Sequence, residues 1–278
     1  MTANATTAVP SNILDVHGLT LVDTLTGKRL VKDIGFRLER GKSLGIVGES
    51  GSGKSLTCKA ILGILPENAA VASGRIEFDG IDVTRFDHDQ WRPLRAVRIA
   101  AVFQDPASYL NPSIPVGKQL AQVLRNRAQV PDDEVTDRAL ALFERVGLRN
   151  PALVYRQYSH ELSGGMLQRI VIAIAVAANP ILLIADEATT ALDVTVQAEV
   201  LDLITDLREQ HQLSLIFVTH DLAVVAQISD HLIVMRDGVI VESGPTRRVL
   251  DAPEHPYTRL LIQDHLEYGL DKLIDAEA

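Results

Sequence analysis

Eight consecutive residues limit what this chain can become more than any others: Gly48-Glu49-Ser50-Gly51-Ser52-Gly53-Lys54-Ser55. They satisfy every fixed position of the phosphate-binding pattern G-x-x-x-x-G-K-[ST]. That pattern needs a strand before it and a helix after it. Ser43 to Val47 is a short apolar run that reads as a buried strand. Leu56 to Leu65 is mostly apolar, with Lys59 at a polar position, and reads as a helix. The glycines let the backbone turn tightly and approach phosphates. Successive N–H groups then form an anion nest, and the helix adds its positive end. Lys54 is expected to reach the β- and γ-phosphates, and the Ser55 hydroxyl to hold Mg2+. The motif predicts nucleoside triphosphate binding and leaves open what the energy drives.

The rest of the composition narrows the setting. A chain of 278 residues, 46% hydrophobic, can bury a full core or a core plus a subdomain. A formal net charge of −9 argues against a broad nucleic-acid-binding surface. Cys58 is the only cysteine, so a disulfide within the chain and a multi-cysteine metal site are excluded. A reducing, cytosolic setting is expected, with Cys58 as a small buried thiol. Met1 to Ser11 lacks the basic and apolar segments of a secretory signal. The longest apolar run, Ile170 to Ala178, is far short of a membrane span. Any link to a membrane is expected to pass through another protein.

Along the chain, residues 1–11 read as a disordered tail. Ile13 to Val22 and Lys32 to Leu38 read as paired strands across the turn at Thr26-Gly27-Lys28. Ser73-Gly74 is expected to start a strand that runs to Phe78 and turns at Asp79-Gly80. Gln90 to Arg95 reads as a short helix and Arg98 to Phe103 as a strand, with Gln104 at its C-terminal end, where α/β sheets bind ligands. From Asp105 the pattern becomes helical: Val116 to Asn126, then Asp132 to Val146, closed by Gly147. After Pro180 strands and helices alternate again, and a last helix is expected from Pro256 to about Leu273. The predicted division is a core over 12–104, a helical insertion over 105–179, the second part of the core over 180–252 and a helical tail over 253–278.

Three further stretches carry chemistry. Ile181 to Glu187 is an apolar strand ending in two acids. Asp186 is placed to bind Mg2+, through water, and Glu187 to polarise the attacking water. Ser163-Gly164-Gly165 opens the apolar helix Ile170 to Ala178. It reads either as a second anion site or as an ordinary N-cap made by Ser163. His220 follows the strand Leu213 to Val218 and could contact the γ-phosphate.

In this order, these stretches resemble the nucleotide-binding subunits of ABC transporters, over about Asn12 to Tyr268. The resemblance implies an α/β fold: a P-loop, RecA-like core with an antiparallel β subdomain and an inserted α-helical subdomain. It implies an ATPase that uses ATP and Mg2+, two chains packing head to tail. Each nucleotide would sit between one phosphate loop (Gly48 to Ser55, with Leu56) and the opposite signature, Leu162 to Met166, through Ser163, Gly164 and Gly165. Gln104 resembles the glutamine that contacts Mg2+ and senses the membrane subunit, and Asp105 to Gly117 would lie near that subunit's coupling helix. Ala191-Leu192-Asp193 looks like the loop that communicates across the dimer. Glu187 looks like the catalytic base and His220 like the switch histidine.

Gln104-Asp105-Pro106, Leu110-Asn111-Pro112 and His255-Pro256-Tyr257-Thr258 are similar to peptide and nickel importers. Ser55 to Cys58 leading to Gly63-Ile64-Leu65-Pro66, Gly165 to Arg169, and the ending His265 to Gly269 tilt toward nickel. The implied assembly is a paralogous ATPase subunit (or a second identical chain), two transmembrane permease subunits and an extracytoplasmic substrate-binding protein. It would work at the cytoplasmic face of the bacterial cell membrane. The other readings are a peptide importer, a soluble ABC ATPase and a P-loop kinase. Two departures stand out. Leu21-Val22-Asp23-Thr24 has no aromatic residue to stack on adenine, and Ala188 stands where proline usually follows the catalytic glutamate.

Overall fold

The computed structural model describes residues 11–189 and 193–265. Two sheets organise them. β1 (Asn12–Asp23), β2 (Arg29–Glu39), β4 (Ala69–Phe78) and β5 (Ile81–Asp82) form an antiparallel sheet in the order β2-β1-β4-β5. The second sheet runs β10-β9-β3-β8-β7-β6, from β3 (Ser43–Val47), β6 (Ile99–Phe103), β7 (Leu182–Asp186), β8 (Ser214–Val218), β9 (His231–Arg236) and β10 (Val239–Pro245). It is parallel except for the β9–β10 pair.

The central strands follow from composition. All residues of β3, β7 and β8 are buried, as near-continuous apolar runs covered on both faces must be. Alternation then sends neighbours to opposite faces. Leu182 and Ile184 join the core shared with the antiparallel sheet and with α1 (Lys54–Ile61). Leu183 and Ala185 join the core shared with the helices. Those helices are α3 (Val116–Asn126), α4 (Val135–Arg145), α5 (Pro151–Val154), α6 (Gly164–Val176) and α7 (Val194–His211). Among the described residues no strand lies between β6 and β7. The remaining helices are α2 (His88–Val97), α8 (Leu222–Ile228), α9 (Thr246–Asp251) and α10 over 256–265.

Several boundaries differ from the sequence reading. α1 stops at Ile61 because Gly63 takes φ 64° and leaves no room: a Cβ there would lie 2.1 Å from the Trp91 indole nitrogen. β4 begins at Ala69, not at Ser73-Gly74, because β1 pairs with its first residues as Asp23↔Ala69 and Val22↔Ala70. Gly74 lies inside the strand at φ 96°. α4 starts at Val135 instead of Asp132, since the Pro131 carbonyl closes a turn by accepting from the Glu134 and Val135 amides. α2 extends to both sides of the predicted segment, started by a reciprocal Asp87–Gln90 cap. Ser11, assigned to the tail, already accepts a bond from the Arg40 amide at 3.0 Å. The rest of that tail, Ala191-Leu192 and the end of the predicted last helix lie outside the described residues.

Candidate nucleotide site

Parallel strands bring their last residues to one edge. There β3 leads into Gly48, β6 into Gln104, β7 ends at Asp186 and leads into Glu187, and β8 leads into His220. The register pairs Phe103 with Asp186, Asp186 with Val218, and Ile46 with Val218. Residues separated by up to 172 positions in sequence thereby meet along one rim.

The phosphate loop is held by the fold around it. Gly48 takes φ 147°, and a Cβ would lie 2.0 Å from the Met235 carbonyl oxygen. Only glycine allows so close an approach. Gly51 and Gly53 are also left-handed, at φ 82° and 101°. The Gly238 amide, on the β9–β10 turn, donates to the Ser52 carbonyl at 3.1 Å. The Glu49 amide donates to the Tyr257 hydroxyl at 3.0 Å. In the sequence Tyr257 is only one residue of the family-like segment His255-Pro256-Tyr257-Thr258. Its contact with the loop is 208 positions distant and left no local signal.

Lys54 and Asp186 are bonded within the chain. Lys54 is 4% exposed, and its Nζ donates to the carbonyls of Gly48 at 2.7 Å and Glu49 at 2.8 Å. Burial lowers its pKa, against the charges of Glu187 and Asp186. Ser55 Oγ donates to Asp186 Oδ1 at 3.0 Å. Burial raises the Asp186 pKa, opposed by that bond and reinforced by Glu187. A hydroxyl and a buried carboxylate side by side are oxygen donors of the kind a hard cation takes. Glu187 is half-buried at φ 51°, with its amide bonded to the Val218 carbonyl at 2.9 Å. Gln104 and His220 are exposed on the same rim. The His220 loop is fixed by neighbours: the Thr219 amide donates to the Ile46 carbonyl, and Thr219 Oγ1 accepts from the Asp221 amide at 3.0 Å.

Ser163, Gly164 and Gly165 make a different kind of place. Ser163 Oγ accepts from the Met166 amide at 3.3 Å, so the capping alternative is what the side chain does in this chain. A Cβ on Gly165 would meet Val196 at 2.7 Å, while one on Gly164 would meet nothing within 4 Å. Asp193 caps α7 through the Val196 amide at 2.9 Å. The starts of α6 and α7 therefore pack together around Val196. Arg169 joins the same group, bonded to the Val146 carbonyl at 2.7 Å and to Glu199 at 2.5 Å. At the position that lacks an aromatic, Asp23 instead closes a turn, accepting from the amides of Leu25 and Thr26. Among the described residues no helix is long and apolar enough to cross a membrane, and no group of three or more His, Cys, Asp or Glu could hold a metal.

A glycine loop between a parallel strand and a helix, with an acid at the end of a neighbouring strand, defines a P-loop nucleotide-binding protein. Comparison with known proteins narrows this class. The ABC transporter family profile matches residues 31–190. The chain is 39% identical over 262 residues to the metal-staphylopine import system ATP-binding protein CntD of Staphylococcus aureus, covering 92% of this chain and 96% of that one. It is 45% identical over 229 residues to the oligopeptide transport ATP-binding protein OppD of Bacillus subtilis, covering 82% of this chain and 64% of that one. Among solved structures it is similar to cbiO1 of Clostridium perfringens, described as part of the ABC transporter complex cbiONQ. There the TM-score is 0.77 and the identity 28%, covering 87% of this chain and 92% of that one. It is also similar to the ATP-binding cassette MJ0796, solved as a dimer bound to ADP and Pi, with TM-score 0.75 and 26% identity over 84% of this chain and 99% of that one. The chain belongs to the ABC transporter family, and it is an ATP-binding, ATP-hydrolysing subunit of the import type.

Proposed function

We propose that this subunit powers uptake of a chelated metal ion, nickel included, across the bacterial cell membrane from its cytoplasmic face. The observation that carries the cargo is end-to-end likeness: the metal-staphylopine relative is matched over 96% of its length, the peptide relative over 64%. A peptide cargo is the second reading, favoured by the higher identity of 45%. The assembly would pair this chain with a paralogous ATPase, or with a second copy, under two transmembrane permease subunits that receive cargo from an extracytoplasmic binding protein. Residues 105–179 would act as the helical unit that meets the permease.

In this reading the loop from Gly48 to Leu56 holds the triphosphate, with Glu49, Ser50, Gly51, Ser52 and Gly53 shaping it. Lys54 exchanges its two carbonyl partners for phosphate oxygens. Ser55, Asp186 and Gln104 hold Mg2+, which when bound neutralises charge on the transferring phosphoryl group. Glu187 orients and deprotonates the attacking water, and His220 contacts the γ-phosphate. The open start of α6, Ser163 to Gly165, covers the nucleotide of the partner subunit, and Asp193 carries the signal between the two sites.

The test is ATPase stimulation in vesicles holding the complete transporter with its binding protein. A nickel chelate is expected to raise turnover and a panel of di- and oligopeptides to leave it at the basal level. Stimulation by peptides alone would replace the first reading with the second.

A further inference from the structure

We propose that Tyr257 is a positioning residue for the phosphate loop, setting the tilt of the peptide group that holds the Lys54 ammonium. The proposal rests on the assignment of Gly48–Ser55 as the phosphate loop. Tyr257 lies in the first turn of α10 and is 2% exposed. Its hydroxyl accepts from the Glu49 amide at 3.0 Å. That N–H belongs to the same peptide group as the Gly48 carbonyl, which accepts from Lys54 Nζ at 2.7 Å. A peptide is planar, so its N–H and C=O cannot turn independently. Tyr257 on one edge therefore determines where the carbonyl points on the other.

The loop needs this outside support because of its own composition. Gly48 has no side chain to narrow its backbone choices, and it sits at φ 147°. An external acceptor supplies the constraint that a Cβ cannot.

Tyr257 is itself fixed from three directions. Its ring lies under the Arg236 guanidinium, with Cζ 4.7 Å from the ring centroid. Its amide donates to His255 Nδ1 at 3.1 Å. The preceding turn is pinned by Glu242, whose carboxylate accepts from the amides of Glu254 at 2.8 Å and His255 at 3.0 Å. The same helix reaches the opposite wall of the site, where His265 Nε2 lies 3.7 Å from Asp221 Oδ1, one residue beyond His220. The His255-Pro256-Tyr257 segment thus belongs to the nucleotide site through backbone support, while Ser55 and Asp186 bond each other.

Tyr257→Phe in the full chain tests this, because it keeps the ring, its burial and the Arg236 contact and removes the hydroxyl, which accepts from the Glu49 amide and also bonds the Glu49 side chain. Hydrogen exchange at the Glu49 amide is expected to speed up. KM for ATP is expected to rise about fivefold, as for loss of one hydrogen bond, with kcat within about twofold and thermal unfolding close to that of the parent. Arg236→Gln, which leaves the hydroxyl in place, is expected to raise KM about twofold, and it carries the test if Tyr257→Phe does not fold. An unchanged KM in the folded variant overturns the proposal, whatever the amide does. Lys54→Ala run alongside separates the two claims. If that variant binds ATP normally, the phosphate-loop assignment itself falls. If it is disabled while Tyr257→Phe behaves as the parent, only the role of Tyr257 falls.

Discussion

The rim of the parallel sheet and the start of α6 are the two places proposed to meet the nucleotide, and they are finished to different degrees. At the rim, Lys54 is buried with two carbonyl partners and Ser55 is bonded to Asp186. The loop is gripped by Met235, Gly238 and Tyr257. At the start of α6, Ser163 and Gly164 are exposed, and Gly164 borders open space. Among the described residues nothing packs on Gly164, which fits the proposed completion of the site by a second subunit.

The sharpest way to break this contrast is Glu187→Gln. Turnover is expected to fall about 1,000-fold while ATP still binds, as for removal of a general base. Light scattering should then find an ATP-dependent dimer that persists. Near-parental phosphate release would remove Glu187 from the chemistry. Lys54→Ala comes next: titration with Mg-ATP should show affinity reduced about 100-fold. Unchanged affinity would mean the rim is not the nucleotide site.

The two glycines give the most direct comparison, because one substitution serves both places. Gly48→Ala is expected to cost about 3 kcal/mol in chemical denaturation, since its Cβ would overlap a backbone carbonyl. Gly164→Ala is expected to leave stability unchanged or raise it by about 0.5 kcal/mol, because the new methyl meets nothing and favours helix. Its turnover should nevertheless fall about tenfold, through crowding of the nucleotide on the partner. If Gly164→Ala hydrolyses ATP normally, the α6 end is a cap and no more.

The smallest effect is expected at a third place that belongs to neither region. At the opposite end of β3, Asp230 accepts from the Ser43 amide and hydroxyl at 2.8 Å. Burial opposes its ionisation, but those bonds and the Arg208 and Lys42 charges hold its pKa below the ordinary 3.8. A depressed acid contributes stability above its unfolded pKa and loses it as pH falls through the folded one. Asp230→Asn should therefore lower stability by about 1 kcal/mol at neutral pH, with the difference from the parent starting to shrink as pH falls below 3.8 and lost only once pH has passed below the still lower folded pKa. ATP turnover at neutral pH should not change.

What sequence reading reaches and misses follows from the range of the interactions. Ser43–Val47 followed by the glycine loop is legible because its signal is contiguous. The apolar run ending at Asp186-Glu187 is legible for the same reason. The strand order is not, since β3 lies between β8 and β9 through bonds that no local pattern encodes. The first half of β4 is small and featureless, Ala69-Ala70-Val71-Ala72-Ser73, and becomes strand only because β1 pairs with it. In the site, residue types with a motif are found, whereas Gly238, Arg236 and Tyr257 act on the loop from the far end of the chain. Asp23 shows the reverse case: the missing aromatic is visible in sequence, but its use in closing a turn is seen only in three dimensions.

Glu187 occupies left-handed backbone, a conformation that costs a non-glycine residue about 1 kcal/mol. Any screen that rewards heat resistance alone should drift toward glycine or asparagine here. Such variants would survive heating better and move no cargo. A thermostabilised library of this subunit therefore needs a catalytic readout at every round.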